Sequence, residues 1–405
     1  MLKRRIDDPS YCFEESSQKS VEKVGSFKSR RLFENESPSI IVPRFQKGLI
    51  ISTFEKDLVA CASLPVTKQL KEYEILVQNE YVGLNHVDWK SKKYRFNIYS
   101  FPWVNGRECS GIVIKQGPKV DKKKFPIFSE VFLASTSYRD LKTSTFQEYT
   151  VFDSRLVWRI PQHKLPIGLV QNKFGLEFAA GIGVALVTAG SAISTIVDLT
   201  VEVQKNNDKA QNIAIWGGSS SVGLYVIQLA KACKKFDKIV IISSSKHKDY
   251  LKELGATHVI DRFQPAERIL EEIADLCPEG VNYGIDVISK ETATVLSKIL
   301  EHGNTETKKL VCIVGLPEGT TECVRKNLKT KLIIETVNIK KFHEDIRFGS
   351  WFVSYTSKLF ETDQLKPIKS LKVFKSLGSF GEGIMNGLKE LEDKGASAEK
   401  FVASL

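Results

Sequence analysis

The sequence predicts an α/β protein of two lobes, a mostly antiparallel β domain followed by a doubly wound parallel sheet. Three observations predict it. Between about Ile40 and Leu165, apolar residues fall in short strand-length runs divided by turn residues. After Pro166, strand and helix signals alternate, the pattern of a parallel sheet with helices on its faces. Near the start of that alternation, Gly217 to Gly223 makes a turn of small residues between a strand and a helix.

Residues 1–45 are polar, with Lys3-Arg4-Arg5, Lys28-Ser29-Arg30-Arg31 and little apolar periodicity. They read as a disordered basic tail. Strand-like runs follow at Gly48–Thr53, Tyr73–Tyr81, Gly111–Lys115, Val131–Ala134 and Gln147–Val151, with turns such as Gln116-Gly117-Pro118 between them. Residues 175–198 are alanine-rich and predict one or two helices. Strands are expected at Ile213–Trp216, Ile239–Ile242, Val259–Ile260, Tyr283–Val287 and Leu310–Val314. The helices between them are expected at Ser221–Cys233, Lys246–Leu254, Ala266–Leu276 and Thr292–Leu300. A long helix near Gly383–Lys394 and a short run at Lys400–Ala403 close the chain.

A chain of 405 residues, 42% of them hydrophobic, can bury a large core. No apolar run nears the roughly 20 residues that span a bilayer, and the N-terminus lacks the apolar core of a secretory signal. A cytoplasmic location is expected. The seven cysteines are dispersed with no CxxC pair, which predicts reduced thiols and no metal site. The net charge of +11 leaves an anionic partner open. The basic residues form no long block and no aromatic-basic RNA-binding signature, so no nucleic acid is expected.

Ile213 to Gly223 reads as strand, tight turn and helix start. Small residues let backbone amides approach a pyrophosphate, and a helix N-terminus stabilises its charge. The spacing Gly218-x-Ser220-x-x-Gly223 is GxGxxG with serine for the middle glycine. Gly217, Gly218, Ser219, Ser220, Ser221, Val222 and Gly223 are therefore candidate dinucleotide contacts, with Ser220 expected to crowd the phosphates. At the end of the next strand an NAD site carries a carboxylate. Here Ser243-Ser244-Ser245-Lys246-His247-Lys248 comes first, and no carboxylate appears before Asp249. Hydroxyls and lysines suit a 2′-phosphate. Ser244, Lys246, His247 and Tyr250 become candidates for holding NADPH, while Ser245 is available to cap the following helix.

Val82-Gly83-Leu84-Asn85-His86-Val87-Asp88-Trp89-Lys90, Gly106-Arg107-Glu108-Cys109-Ser110-Gly111, Thr145-Phe146-Gln147-Glu148-Tyr149, Ala179-Ala180 with Val187-Thr188-Ala189, Leu254-Gly255-Ala256 and Lys394–Val402 follow one another along the chain. Together they resemble the medium-chain dehydrogenase/reductase superfamily, in its zinc-less quinone-oxidoreductase and enoyl-reductase branch. The resemblance covers about residues 46–405. It implies a GroES-like catalytic domain at 46–165, a Rossmann NADPH-binding domain at 166–350 and a return to the first domain at 351–405. By resemblance, Asn85 and Thr188 face the nicotinamide and Asp88 holds the loop. Zinc-bearing relatives place a cysteine at position 85 and a His-Glu pair at 107 and 108. Asn85 and Arg107-Glu108 stand there instead, which implies hydride transfer without a metal. His86 replaces the branch's usual proline.

Two readings stay open. The first is an NADPH-dependent reductase of a small quinone, enone or aldehyde. The second is a non-catalytic relative, peripheral on the cytosolic face of membranes, that uses this fold to meet a membrane or a membrane-protein partner through its basic N-terminal region. A fungal branch with a comparable N-terminal extension is linked to delivery of the plasma-membrane proton ATPase, and the extension and charge fit it. Relatives that pair their nucleotide-domain sheets suggest a homodimer.

Overall fold

Two large sheets meet along one central helix. The computed structural model describes residues 40–135, 140–164, 169–200, 211–303, 307–320, 324–326 and 331–405. Residues 1–39 of the expected tail, Lys28–Arg31 included, lie outside the described residues.

The first lobe contains strands β1 (Phe45–Ile51), β2 (Val59–Pro65), β3 (Glu74–Gly83), β4 (Trp103–Val104), β5 (Glu108–Gln116), β6 (Glu130–Ala134), β7 (Tyr149–Asp153) and β8 (Val157–Arg159), with helix α1 (His86–Lys93) after β3. A hairpin of β9 (Gln162–Lys164) and β10 (Val170–Asn172) leads to α2 (Leu176–Ala179) and α3 (Gly183–Ile196). Ten residues of α3 are buried, Thr188 and Ser191 among them, and it carries no charged side chain, as expected of a helix enclosed by protein.

The second lobe alternates β11 (Asn212–Trp216), α4 (Ser221–Ala232), β12 (Lys238–Ser243), α5 (Lys248–Leu254), β13 (His258–Asp261), α6 (Ala266–Leu276), β14 (Tyr283–Asp286), α7 (Lys290–Glu301) and β15 (Thr307–Cys312). Strands β16 (Val324–Lys326) and β17 (Lys331–Thr336) complete its sheet, in the order β13-β12-β11-β14-β15-β17-β16. All neighbours are parallel except β16 and β17. Every residue of β11 is buried, because helices cover both faces of a parallel sheet.

Short α8 (Lys341–Glu344) and long α9 (Ile346–Glu361) follow, so the expected boundary at residue 350 falls inside a helix. Then β18 (Ser370–Phe374), α10 (Glu382–Lys394) and β19 (Glu399–Ser404) close the chain. The last strand lies inside the first lobe's sheet, ordered β18-β19-β3-β5-β6-β8, with Val402 opposite Gly83. The predicted fold class is the one found: an antiparallel lobe and a doubly wound parallel one.

Candidate functional site

A cleft of about 500 Å³ opens where the two lobes face each other. Its nucleotide-lobe wall is made of residues just past the C-terminal ends of four parallel strands: Ser220–Val222 after β11, Val287 after β14, Ile313 after β15 and Val337 after β17. The strand order reverses at β11, and ligands of open α/β sheets bind at such a point.

The small-residue turn has the local geometry the sequence predicts. Gly217 has φ +95°, a left-handed backbone that favours glycine. A Cβ on Gly223 would lie 2.3 Å from the Gly217 carbonyl oxygen, so only glycine lets helix and turn pack this closely. Ser220 is the N-cap of α4, its Oγ accepting the Gly223 N–H at 3.0 Å. The hydroxyl is thus folded back onto its own helix. As at any helix start, the first-turn amides of α4, from Ser221 and Val222, have no intrahelical acceptor. The Ser219 carbonyl accepts the Ala398 N–H at 2.7 Å, which ties the turn to the C-terminal segment.

At the end of β12, Ser244 is buried, Lys246 is exposed, and His247 Nε2 lies 2.9 Å from Ser397 Oγ. Burial, with Lys246 nearby, lowers the His247 pKa. Two expectations change here. Ser245 does not cap α5: it opens a 3-10 turn, Ser245–His247, and its Oγ donates to Asp261 Oδ2 at 3.1 Å. Pairing of β12 with β13 sets Ser243 opposite Asp261, so tertiary structure supplies the carboxylate that the local sequence lacks. The Tyr250 hydroxyl accepts the Lys369 N–H at 3.0 Å. The turn, the start of α4 and the polar end of β12 together fit a dinucleotide. The fold implies a nicotinamide dinucleotide cofactor.

On the facing wall, Asn85 begins α1 and Thr188 sits on α3; both line the cleft. The Thr188 hydroxyl donates to Val184 O at 2.7 Å. Asp88 lies below the surface, only 3% exposed, accepting the Asn85 N–H at 2.9 Å. Burial pushes its pKa up to about 7, against the opposing pull of Arg107, whose Nε is 3.8 Å away. His86 lines the cleft as well. Its Nδ1 accepts from Trp89 Nε1 at 3.3 Å, and burial together with Lys90 and Lys400 lowers its pKa.

Sequence reasoning assigned no role to a buried ion pair at the cleft floor. Lys400 on β19 and Glu108 on β5 are 3% and 0% exposed, with Nζ 2.7 Å from Oε1. Glu108 Oε2 accepts the Val184 N–H at 2.7 Å near the start of α3, where a helix dipole favours an anion. Both residues fall in segments that carry the family resemblance, but nothing local in either indicates its partner. Among the described residues, no group of three or more His, Cys, Asp and Glu side chains gathers as a metal site would require.

Comparisons with known proteins agree with this geometry. The family described as "Alcohol dehydrogenase GroES-like domain" matches residues 71–162, and "Zinc-binding dehydrogenase" matches residues 221–354. An uncharacterized protein of Saccharomyces cerevisiae is 29% identical over 262 residues, covering 62% of this chain and 66% of the relative. The trans-enoyl reductase himH of Aspergillus japonicus is 29% identical over 215 residues, 53% of this chain and 58% of its own length. The chain thus spans about three fifths to two thirds of the length of these curated relatives. An alcohol dehydrogenase superfamily protein from Novosphingobium aromaticivorans superposes with a TM-score of 0.70 at 18% identity, covering 89% of this chain and 99% of that one, a likeness of fold. The chain belongs to the medium-chain dehydrogenase/reductase superfamily.

Proposed function

We propose that the chain is a zinc-independent, NADPH-dependent oxidoreductase that passes hydride to a small enone, quinone or aldehyde. The observation that carries this reading is the cleft itself. It brings a dinucleotide-type turn, at the carboxyl ends of the parallel strands, to face Asn85 and Thr188 across apolar walls. Bound there, a reduced nicotinamide supplies hydride to an electron-poor carbon. Val187, Val287, Ile313 and Val337 exclude water from the reacting carbon, and Ser221 and Val222 offer amides to the pyrophosphate. Zinc independence is supported by the donor set. At the positions where relatives ligate metal stand an amide, Asn85, and the pair Arg107-Glu108, with Glu108 bound to an ammonium group. The similarity to a trans-enoyl reductase favours an activated alkene.

The preference for the 2′-phosphate rests on Lys246 and His247, while the nearby Asp261 has one oxygen engaged by Ser245. Fluorescence titration tests it: NADPH binds more tightly than NADH, and Lys246→Ala weakens NADPH about tenfold, the scale of one charge-assisted hydrogen bond. Equal affinity for both nucleotides overturns the NADPH assignment. Absence of binding to either overturns the enzymatic reading.

One surface favours the second reading, a peripheral membrane protein. Tyr94, Phe96, Tyr99 and Phe101 are 61%, 38%, 70% and 44% exposed beside Lys90 and Lys92. Aromatic rings and long basic chains suit a membrane interface, at roughly 1 kcal/mol per basic residue near an anionic leaflet. If this reading holds, the protein sediments with phosphatidylserine-containing vesicles, and Tyr99→Ser with Phe101→Ser releases it. Loss of sedimentation on deleting residues 1–31 instead assigns the contact to the basic tail.

A further inference from the structure

We infer that the buried Glu108–Lys400 pair orients the Asn85 carboxamide so that one of its N–H bonds is the donor to the substrate's carbonyl oxygen. The inference rests on the reductase reading and is argued for the enone among the substrates proposed there. Glu108 and Lys400 are positioning residues, and Asn85 is the catalytic one.

The chemistry of the partners fixes the amide. Lys400 Nζ lies 2.8 Å from Asn85 Oδ1, 2.9 Å from the Leu84 carbonyl oxygen and 2.7 Å from Glu108 Oε1. An ammonium group only donates, so the Asn85 atom it meets must be oxygen. Asn85 Nδ2 lies 2.8 Å from Glu108 Oε1. A carboxylate only accepts, so this atom must be nitrogen. The two charges therefore allow one orientation of the amide and exclude its flipped form. Three acceptors use all three donors of Lys400, which keeps the ammonium from reaching a ligand. Glu108 Oε2 is taken by the Val184 N–H. Of the two N–H bonds of Asn85, one goes to Glu108 and the second meets no acceptor among the described residues. Asn85 lines the cleft, so that second bond is available to a ligand there.

A donor there suits conjugate reduction. A reduced nicotinamide bound in the cleft would give up the hydride of its C4–H bond, becoming oxidised, and that hydride would form a C–H bond at the β-carbon of the enone. The C=C π pair shifts to make an enolate, whose negative charge develops on oxygen, and a proton from water then completes the α-carbon. An N–H already aimed at that oxygen, in a cleft walled largely by apolar side chains, stabilises the charge as it develops. The ammonium on Oδ1 withdraws electron density from the amide and makes its N–H a stronger donor. A metal ion would act on the same oxygen as a Lewis acid; here a clamped amide does so.

The test uses the full-length protein and 2-cyclohexenone. In the complex with NADP⁺, infrared difference spectra should place the bound carbonyl stretch at lower frequency in the wild type than in Asn85→Ala. With NADPH at saturation, and well below a melting temperature lowered by the loss of the helix cap and of a partner to two buried charges, Asn85→Ala should lose about 100-fold in kcat, the scale of one oxyanion donor. Lys400→Met alone strands a buried carboxylate, so the charge-free pair Lys400→Met with Glu108→Gln is the informative variant. It should fold and bind NADPH, yet keep a lowered kcat and the unshifted carbonyl band. A merely structural pair predicts instead that this double variant recovers kcat along with its melting temperature, and that result overturns the inference. The same carbonyl frequency in wild type and Asn85→Ala also overturns it. A wild type that binds NADPH and reduces a quinone or an aldehyde but no enone overturns the inference and leaves the reductase reading standing, whereas one that reduces none of the three brings down both.

Discussion

At the scale of single residues, Asp88 is a carboxyl group kept in place by the fold at some electrostatic cost. It is 3% exposed, accepts the Asn85 N–H and faces Arg107 across 3.8 Å. Burial prevails over these contacts and pushes its pKa up from 3.8 to about 7. The folded chain therefore holds a proton on Asp88 over a range where the unfolded chain has released it. The stability this contributes is complete below about pH 4 and is lost as pH rises through about 7. Each tenfold difference in proton affinity between the two states is worth about 1.4 kcal/mol. The melting temperature of wild type minus that of Asp88→Asn should therefore decline steadily between those limits. A flat difference across the interval would mean that Arg107 holds the carboxylate ionised.

At the scale of elements, legibility followed periodicity. β11 and α4 could be read because a fully buried strand is a continuous apolar run and an amphipathic helix repeats its apolar face. The turn between them could be read because glycine and small residues are needed there for steric reasons. Helix α1, His-Val-Asp-Trp-Lys-Ser-Lys-Lys, buries only Asp88 and Ser91, so no apolar stripe announces it. β2 is largely exposed and shows no alternation. Ser245 was misjudged because its partner, Asp261, comes from the neighbouring strand. The floor of the cleft was the least legible part. Lys400 and Asn85 lie 315 positions apart, and they meet only because β19 returns to pair with β3. A charged residue at the start of an apolar strand looks like a solvated edge until the sheet is assembled around it.

At the scale of the whole molecule, one tryptophan ties the first lobe to the helices through which the chain leaves the second. Trp158 on β8 is fully buried and stacks between Phe132 and Phe342, with ring centroids 5.3 and 5.4 Å away and planes within 5°. Its Nε1 donates to Thr356 Oγ1 of α9 at 2.8 Å. Phe132 belongs to β6 of the antiparallel sheet, whereas Phe342 and Thr356 belong to α8 and α9, which follow the last strand of the parallel sheet. The stack thus fixes the helices that follow the parallel sheet onto the first lobe. Trp158→Ala removes a large ring from a close-packed site and should cost about 3–5 kcal/mol. Trp158→Phe keeps an aromatic ring in the stack and gives up the bond to Thr356, whose hydroxyl still donates to Phe352 O at 2.7 Å; it should cost about 1 kcal/mol. If this tie sets the spacing of the cleft walls, Trp158→Ala also weakens NADPH binding measured well below its melting temperature, while Trp158→Phe leaves it unchanged. Wild-type affinity in a destabilised Trp158→Ala protein would instead assign the cleft geometry to the return of β19 alone.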